Sequence, residues 1–283
     1  MTDHTSREAL LRSADDYLSA LIRNDPSAAP LAAGARSTEN GIEIPIGHGL
    51  WSTATGLPGR PYVQVVDVDS GGVALLTRVE EVGEVSLLGL RLRVADHGIT
   101  EVESLVVRPK SNARQPEFWE PDALATPLEL YDSPAPAART DLIAIADDYL
   151  DAIGEGNGAK VHNAPHAVRR ENGFQTVGNP DAPEGTPFGL EMDVQIGTGF
   201  GAGIVNRDRR YLADPERGVV WASFLMEFEY SVDTVRKFPN GWLLVNPRPT
   251  CMYVHEVWKV VDGRVTTVDS IFDHGFYGMG TGW

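Results

Sequence analysis

Residues 14–18 read ADDYL, and residues 146–150 read ADDYL again. Residues 39–41 read ENG, and residues 171–173 repeat it. Both pairs stand 132 residues apart, and two unrelated matches would not share a spacing. The likeness continues more loosely. VDSGGVALL (68–76) resembles ADPERGVVW (213–221), and ADHGITEVESL (95–105) resembles VDGRVTTVDSI (261–271). A period this long is a duplicated domain, not a solenoid. The 283 residues suffice for two domains, each with its own core. The expected bounds are 1–133 for the first copy and 134–283 for the second.

Each copy begins with a helix. Leu11, Ala14, Tyr17, Leu18, Leu21 and Ile22 recur at helical spacing, as do Leu142, Ile145, Ala146, Tyr149, Leu150 and Ile153. Thr5 and Glu8 have the spacing of a capping box, which places the first helix start near Thr5. Asp15, Asp16, Asp147 and Asp148 lie off the apolar stripe and read as solvated faces. Strands follow. Leu88, Leu90, Leu92 and Val94 alternate with Gly89, Arg91 and Arg93, and residues 252–261 and 264–272 form a second alternating pair around Asp262-Gly263. The fold class is therefore α+β. Between the copies, residues 109–138 carry six of the 19 prolines and the pair Phe118-Trp119, and read as a strap along a domain surface.

Composition excludes several classes. A net charge of -16 with no basic patch argues against nucleic acid as a partner. The one cysteine, Cys251, permits no internal disulfide and fits a reducing compartment. Residues 1–11 lack the basic and apolar regions of a signal peptide, so a cytoplasmic location is expected. No apolar run is long enough to span a membrane. Gly197, Gly199 and Gly201 mimic a dinucleotide loop but lack its strand–helix setting, so no cofactor is expected. No Gly-x-Ser-x-Gly elbow occurs.

A helix followed by a curved sheet in about 130 residues resembles the ketosteroid-isomerase-like (SnoaL-like, or nuclear-transport-factor-2-like) superfamily. Tandem members of that group are similar in carrying ENG, an RDRR…D-x-E-R-G hairpin and YGM-x-x-GW. Here these are residues 171–173, 207–210 with 214–218, and 277–283. The resemblance implies two tandem cone-shaped α+β barrels, each a mostly antiparallel sheet closed by helices around an apolar pocket. It implies a small-molecule substrate and usually no cofactor, in isomerases, dehydratases, epoxide hydrolases, cyclases and lyases, with some members that only bind. It also implies a monomer with an internal pseudo-dimer, or a homodimer. The superfamily's catalytic Asp and its Asp-Arg-Asp set have no matching motif in this chain.

Polar residues concentrate in the second copy, which holds His162, His166, His255 and His274 against His48 in the core region of the first. The working pocket is expected there. Pro165 breaks the helix that a zinc pair of His162 and His166 would need, so no metal is expected. The two line the loop before ENG, one as a general acid, or are simply exposed. Arg169 and Arg170 stand where the first copy has Ser37 and Thr38, and suit a developing oxyanion unless they pair with Glu171. Glu256 shares a strand face with Val254, Trp258 and Val260, where burial would raise its pKa and suit it to acid–base work, unless it forms an ion pair with an arginine of the neighbouring strand. Asp273 and His274 end the last strand, where the sheet meets the pocket mouth; they point apart, so as catalytic candidates each is expected to meet a residue of another strand. Phe200, Tyr211, Trp221, Tyr253, Trp258 and Tyr277 are the expected substrate lining. Glu39 and Asn40 repeat in both copies and read as fold-determining, with Asn-Gly as a turn and Glu as a cap or a nearby ion-pair partner. The expected activity is a cofactor-independent lyase, by dehydration or formaldehyde release, or an isomerase. A binding module is the alternative.

Overall fold

The ENG motif builds the same turn twice. In this computed structural model, residues 6–59, 61–109, 128–229 and 249–283 are described. Asn40 and Gly41 have φ of 49° and 80°, and Asn172 and Gly173 have 48° and 93°. Two successive positive φ values define the tight hairpin turn that matches strand twist, and Asn-Gly adopts it most readily. Each Asn side chain then stands in for a main-chain amide. Asn40 accepts from Val106 N at 2.7 Å and donates to Val106 O at 3.0 Å. Asn172 does the same with Phe272, at 2.9 and 3.1 Å. Glu39 accepts from Leu50 N at 2.6 Å, the capping role expected of it.

The first copy contains α1 (Arg7–Leu21), β1 (Leu31–Glu39), β2 (Ile42–Glu43), α2 (Leu50–Thr53) and β3 (Ala54–Gly56). It continues with β4 (Val63–Asp67), β5 (Gly72–Glu81), β6 (Glu84–Ala95) and β7 (Gly98–Val107). α3 (Leu128–Asp132) leads to the second copy. That copy contains α4 (Arg139–Glu155), β8 (Asn163–Glu171), β9 (Phe174–Val177), α5 (Met192–Gly197), β10 (Ile204–Asp214), β11 (Val219–Phe228), β12 (Thr250–Val261) and β13 (Arg264–Gly275). The first sheet has the order β2-β1-β7-β6-β5-β3 with β4 also on β5, and the second has β10-β11-β12-β13-β8-β9. Among the described residues every pairing is antiparallel except β1 with β7 and β8 with β13. The duplication read from the sequence is thus a duplication of topology, and both halves have the expected cone fold. A register shift after Arg93 recurs after Lys259, so both sheets bend at the same place.

Each helix packs its stripe into one concave face. Leu10, Ala14, Tyr17, Leu18 and Leu21 enter the first core, and Leu142, Ala146, Tyr149, Leu150 and Ile153 enter the second. The cap of α1 is Ser6, accepting from Ala9 N, one residue beyond the Thr5 expected. A third core lies between the sheets. Val63, Leu76, Leu87 and Leu105 of the first meet Trp221, Leu225, Val257 and Ile271 of the second. The sheets are therefore apolar on both faces, one against a helix and one against each other. The strap lies mostly outside the described residues. Its end packs on the second copy, where Tyr131 donates to Asp269 at 2.5 Å. Among the described residues no helix is long and apolar enough to cross a membrane.

Two ion pairs tie the copies reciprocally. Arg7 at the head of α1 binds Asp214 of the second copy through bonds of 3.0 and 2.7 Å. Arg139 at the head of α4 binds Asp67 of the first, at 3.1 and 2.8 Å. The two arginines are again 132 residues apart. Both aspartates end the equivalent strand, opposite Gly72 and Val219. Such mutual exchange is the mark of a two-fold interface. The Asp214 side chain is fully buried, so Asp214→Ala is expected to cost about 3 kcal/mol by stranding Arg7. Urea unfolding of Arg7→Ala, Asp214→Ala and the double variant checks this; additive losses would show the pair is uncoupled.

Candidate functional site

Alternation along β12 sends Val254, Glu256 and Trp258 into the second cone and Tyr253, His255 and Val257 into the layer between sheets. Glu256 pairs with Ala222 on one side and Ser270 on the other, and Ser270 pairs with Glu171. The neighbouring row runs Val220, Trp258, Val268, Arg169. A carboxyl, a hydroxyl, a second carboxyl and a guanidinium thus share one concave surface. Arg169 donates to Thr176 at 3.0 Å, to Tyr149 at 3.1 Å and to Gln195 at 2.5 Å, and lies 3.7 Å from Glu171. Gln195 is itself fixed through Thr176 O and Pro187 O. The guanidinium is therefore immobile, held by α4, α5, β8 and β9 together.

Glu256 is 4% exposed. Burial pushes its carboxyl up to about 8, with Arg169 opposing and Glu171 reinforcing the rise. It is a neutral acid at ordinary pH. Glu171 differs, since its side chain is 32% exposed and opens the cluster to solvent.

The first cone has the frame without this chemistry. Leu90 pairs with Ser104 as Glu256 pairs with Ser270, so Leu90 occupies the acid's place. Ser37 occupies that of Arg169, and the Tyr17 hydroxyl accepts from Trp51 at 3.1 Å instead of meeting a guanidinium. The first cone carries a different cluster, in which Arg108 lies 2.9 Å from Glu81 and 3.2 Å from Glu39. Against the cost of burial, Arg108, Thr53 and Ser86 hold Glu81 below the usual carboxylate range. That is an ion-paired network rather than a proton donor.

Of the expected site residues, Arg169, Glu256 and Trp258 come together. Trp258 stacks edge-on against Tyr149 at 5.6 Å. Phe200 packs partly buried on the same core. Tyr211 is on its flank, donating to Asp147 at 2.5 Å, so Asp147, half-exposed on its helix face, is also a paired group. His274 lies beyond Phe272 on the same face of β13. The remaining residues fall elsewhere. His162 pairs with Asp148 and His166 with Glu191, both at 3.0 Å on the surface, and the His166 side chain is 91% exposed. Trp221 and Tyr253 are corrected by sheet alternation, which turns them away from the cone into the layer between sheets. Arg170 is also there, on Asp269 at 2.7 Å. Asp273 accepts from Asn40 of the first copy at 3.2 Å, and Tyr277 is half-exposed beyond the last strand. Among the described residues no group of three or more His, Cys, Asp and Glu is placed to hold a metal.

Sequence reasoning does not single out Tyr149, Thr176, Gln195 and Ser270 for the site, and names Glu171 only as a pairing partner for Arg169 or Arg170, a pairing the structure has at 3.7 Å with Arg169. A signal existed for Glu171. It is two residues from Arg169 on an alternating strand, hence on the same face.

A carboxyl raised on folding costs stability wherever the unfolded chain ionises and the folded one does not. Stability should fall as pH rises from about 4.5 to about 8, then level off. Glu256→Gln should remove that slope and gain roughly 1–3 kcal/mol at pH 8. Urea unfolding across this range measures it, and parallel profiles for both proteins would refute a buried neutral Glu256.

Solved structures similar to parts of the chain include the following three. An LEH-like epoxide hydrolase of M. tuberculosis is 19% identical, with a TM-score of 0.32, over 47% of this chain and 84% of its own. AclR, a putative hydroxylase from Streptomyces galilaeus, is 11% identical with a TM-score of 0.33, over 48% and 81%. An NTF2-like protein from Cytophaga hutchinsonii is 15% identical with a TM-score of 0.30, over 48% and 98%. No curated protein matches the sequence. One family model matches residues 3–106 and 135–272, most of both copies, and the chain therefore belongs to the DUF8021 family, a domain of unknown function.

Proposed function

We propose that the second cone is a cofactor-independent acid–base catalyst, a lyase that eliminates water from a small, largely apolar, hydroxylated carbonyl compound. The observation that carries this reading is Glu256, a buried carboxyl that keeps its proton near neutrality beside the Arg169–Glu171 pair. Elimination of water needs one group to take a proton and another to give one. Glu171 removes the proton from the carbon next to the carbonyl. The electron pair forms the carbon–carbon double bond, the carbon–oxygen bond breaks, and Glu256 protonates the departing hydroxyl. Transfer of the proton from Glu171 back to Glu256 restores the site. Arg169 positions Glu171 and spreads positive potential over the developing enolate. Phe224, Val254 and Phe272 form the apolar wall next to Glu256. The chain acts as a monomer, because the layer between its sheets occupies the face that single-domain copies would use to pair.

The test is a mass-spectrometric turnover screen with aryl diols, hydroxyketones and enones, without added cofactor. Loss of water supports the proposal; release of formaldehyde or isomerisation would redirect it to another acid–base reaction. Saturable thermal shifts without turnover would identify a binding module instead. On a turned-over substrate, Glu256→Gln is expected to lower kcat by roughly 10²–10⁴ with little change in KM. Rate should fall above about pH 8 as Glu256 ionises. Light scattering should give the mass of one chain, and the mass of two would overturn the monomer.

A further inference from the structure

The opposite face of β12 carries a second polar group of side chains, which the cone chemistry does not use. Arg210 pairs with Ser223, and Ser223 pairs with His255, so the three stand side by side across β10, β11 and β12. All three face the first sheet. Ser223 is 1% exposed and His255 is fully buried. Across from them, Arg91 and Glu103 form neighbours on β6 and β7.

The hydrogen bonds of this cluster are incomplete. Glu103 is met by Arg91 Nε and by the Tyr253 hydroxyl, and Arg91 Nη1 reaches Glu101 at 3.0 Å. Among the described residues, Arg91 Nη2, Arg210 Nη1 and Ser223 Oγ have no hydrogen-bond partner, although all are buried, and the His255 ring beside them lies against the backbone of Gly89. Arg210 Nη1 approaches Glu103 no closer than 3.8 Å. Buried polar atoms in native proteins are almost always satisfied by protein, water or ligand. The unmatched atoms here are chiefly donors, on two guanidiniums that share one fully buried carboxylate. An acceptor placed among them would complete their hydrogen bonds.

The segment 276–283 roofs the cluster. Arg210 donates to Thr281 at 3.2 Å, and Arg36 donates to Gly282 O at 2.9 Å. The Trp283 ring lies 4.9 Å from the Arg36 guanidinium and 5.3 Å from those of Arg91 and Arg210. We propose that the layer between the two sheets holds a second binding site, for a small oxyanion, cradled by Arg91, Arg210, Ser223 and His255 beneath the Trp283 indole. Two guanidiniums and a hydroxyl recognise a carboxylate or a phosphate in the same way. The site stands on the other side of the sheet from Glu256 and does not depend on the lyase reading.

Calorimetric titration of the full chain with sodium acetate, and separately with inorganic phosphate, tests the proposal and tells the two sources apart. One saturable site per chain is expected for at least one of them. Arg210→Met should weaken it by about tenfold or more, and Ser223→Ala by a smaller factor. Glu256→Gln should leave it unchanged; loss of binding in that variant would move the anion to the cone and overturn the proposal. Tryptophan fluorescence should respond to the bound anion in the parent chain and lose most of that response in Trp283→Phe. If Arg210→Met does not fold, Ser223→Ala and Trp283→Phe decide. No saturable binding of either anion, or binding indifferent to these changes, means that the cluster holds ordered water alone, and the proposal fails.

Discussion

The reciprocal pairing of Arg7 with Asp214 and Arg139 with Asp67 sets the relation of the two copies, and the rest of the molecule follows from it. Each arginine starts the helix that closes one cone, and each aspartate ends a strand of the other sheet. A helix cannot shift in its cone without pulling on the opposite copy. The clamp holds two convex faces together around Trp221, Tyr253, Leu87 and Leu105. Because both faces of the central strands are then buried, those strands must be apolar twice over, and a polar side chain in either layer must find a partner or serve a purpose.

Duplication within one chain frees the two copies to differ, even on the axis that relates them. Gly89 pairs with Leu105 as His255 pairs with Ile271, so Gly89 and His255 are equivalent positions. They also touch: a Cβ added at residue 89 would collide with the His255 ring. A residue that meets its own counterpart lies at the two-fold. In a dimer of identical chains, two histidines would clash there and two glycines would leave a gap. One chain with one of each fills the space. The same freedom separates Leu90 from Glu256 in the cones. The first copy keeps an apolar core, and the second accepts a buried acid whose ionisation is disfavoured. Tolerating a costly group in one copy is easier when the other supplies stability without compromise.

The repeat, the helix stripes, the Asn-Gly turns and the bent strand pairs were legible because each depends on neighbours in sequence. Glu256 was legible for the same reason, as a carboxylate on an apolar strand face. The lining was less so. Alternation tells which residues share a face, but in a sheet buried on both sides it does not say which face is the cone, and Trp221 and Tyr253 belong to the other. His162 and His166 drew attention as titratable groups close in sequence, yet proximity says nothing about burial, and both are paired on the surface. Tyr149, Gln195 and Thr176 gather around Arg169 from α4, α5 and β9, a convergence that no local pattern encodes.

Two motifs that stand apart in the sequence are partners in space. Of the residues 207–210, Arg207 donates to Met279 O at 2.6 Å and Arg210 to Thr281 at 3.2 Å, while Arg209 reaches back to Asp147 and Asp151 of α4. The tight backbone at Asp208, with φ of 56°, lets neighbouring arginines face different ways. Segment 276–283 then crosses to the first copy. A Cβ at Gly41 would meet Met279 and Gly280. The glycine of the first ENG is thus required twice, by its positive φ and by this crossing. Gly173 answers to the turn in the same way. A repeated motif can therefore carry different constraints in its two copies, as Glu39 caps a helix while Glu171 stands beside Arg169. Repetition in the sequence marks what the fold needs, and the function has to be sought where equivalent positions part.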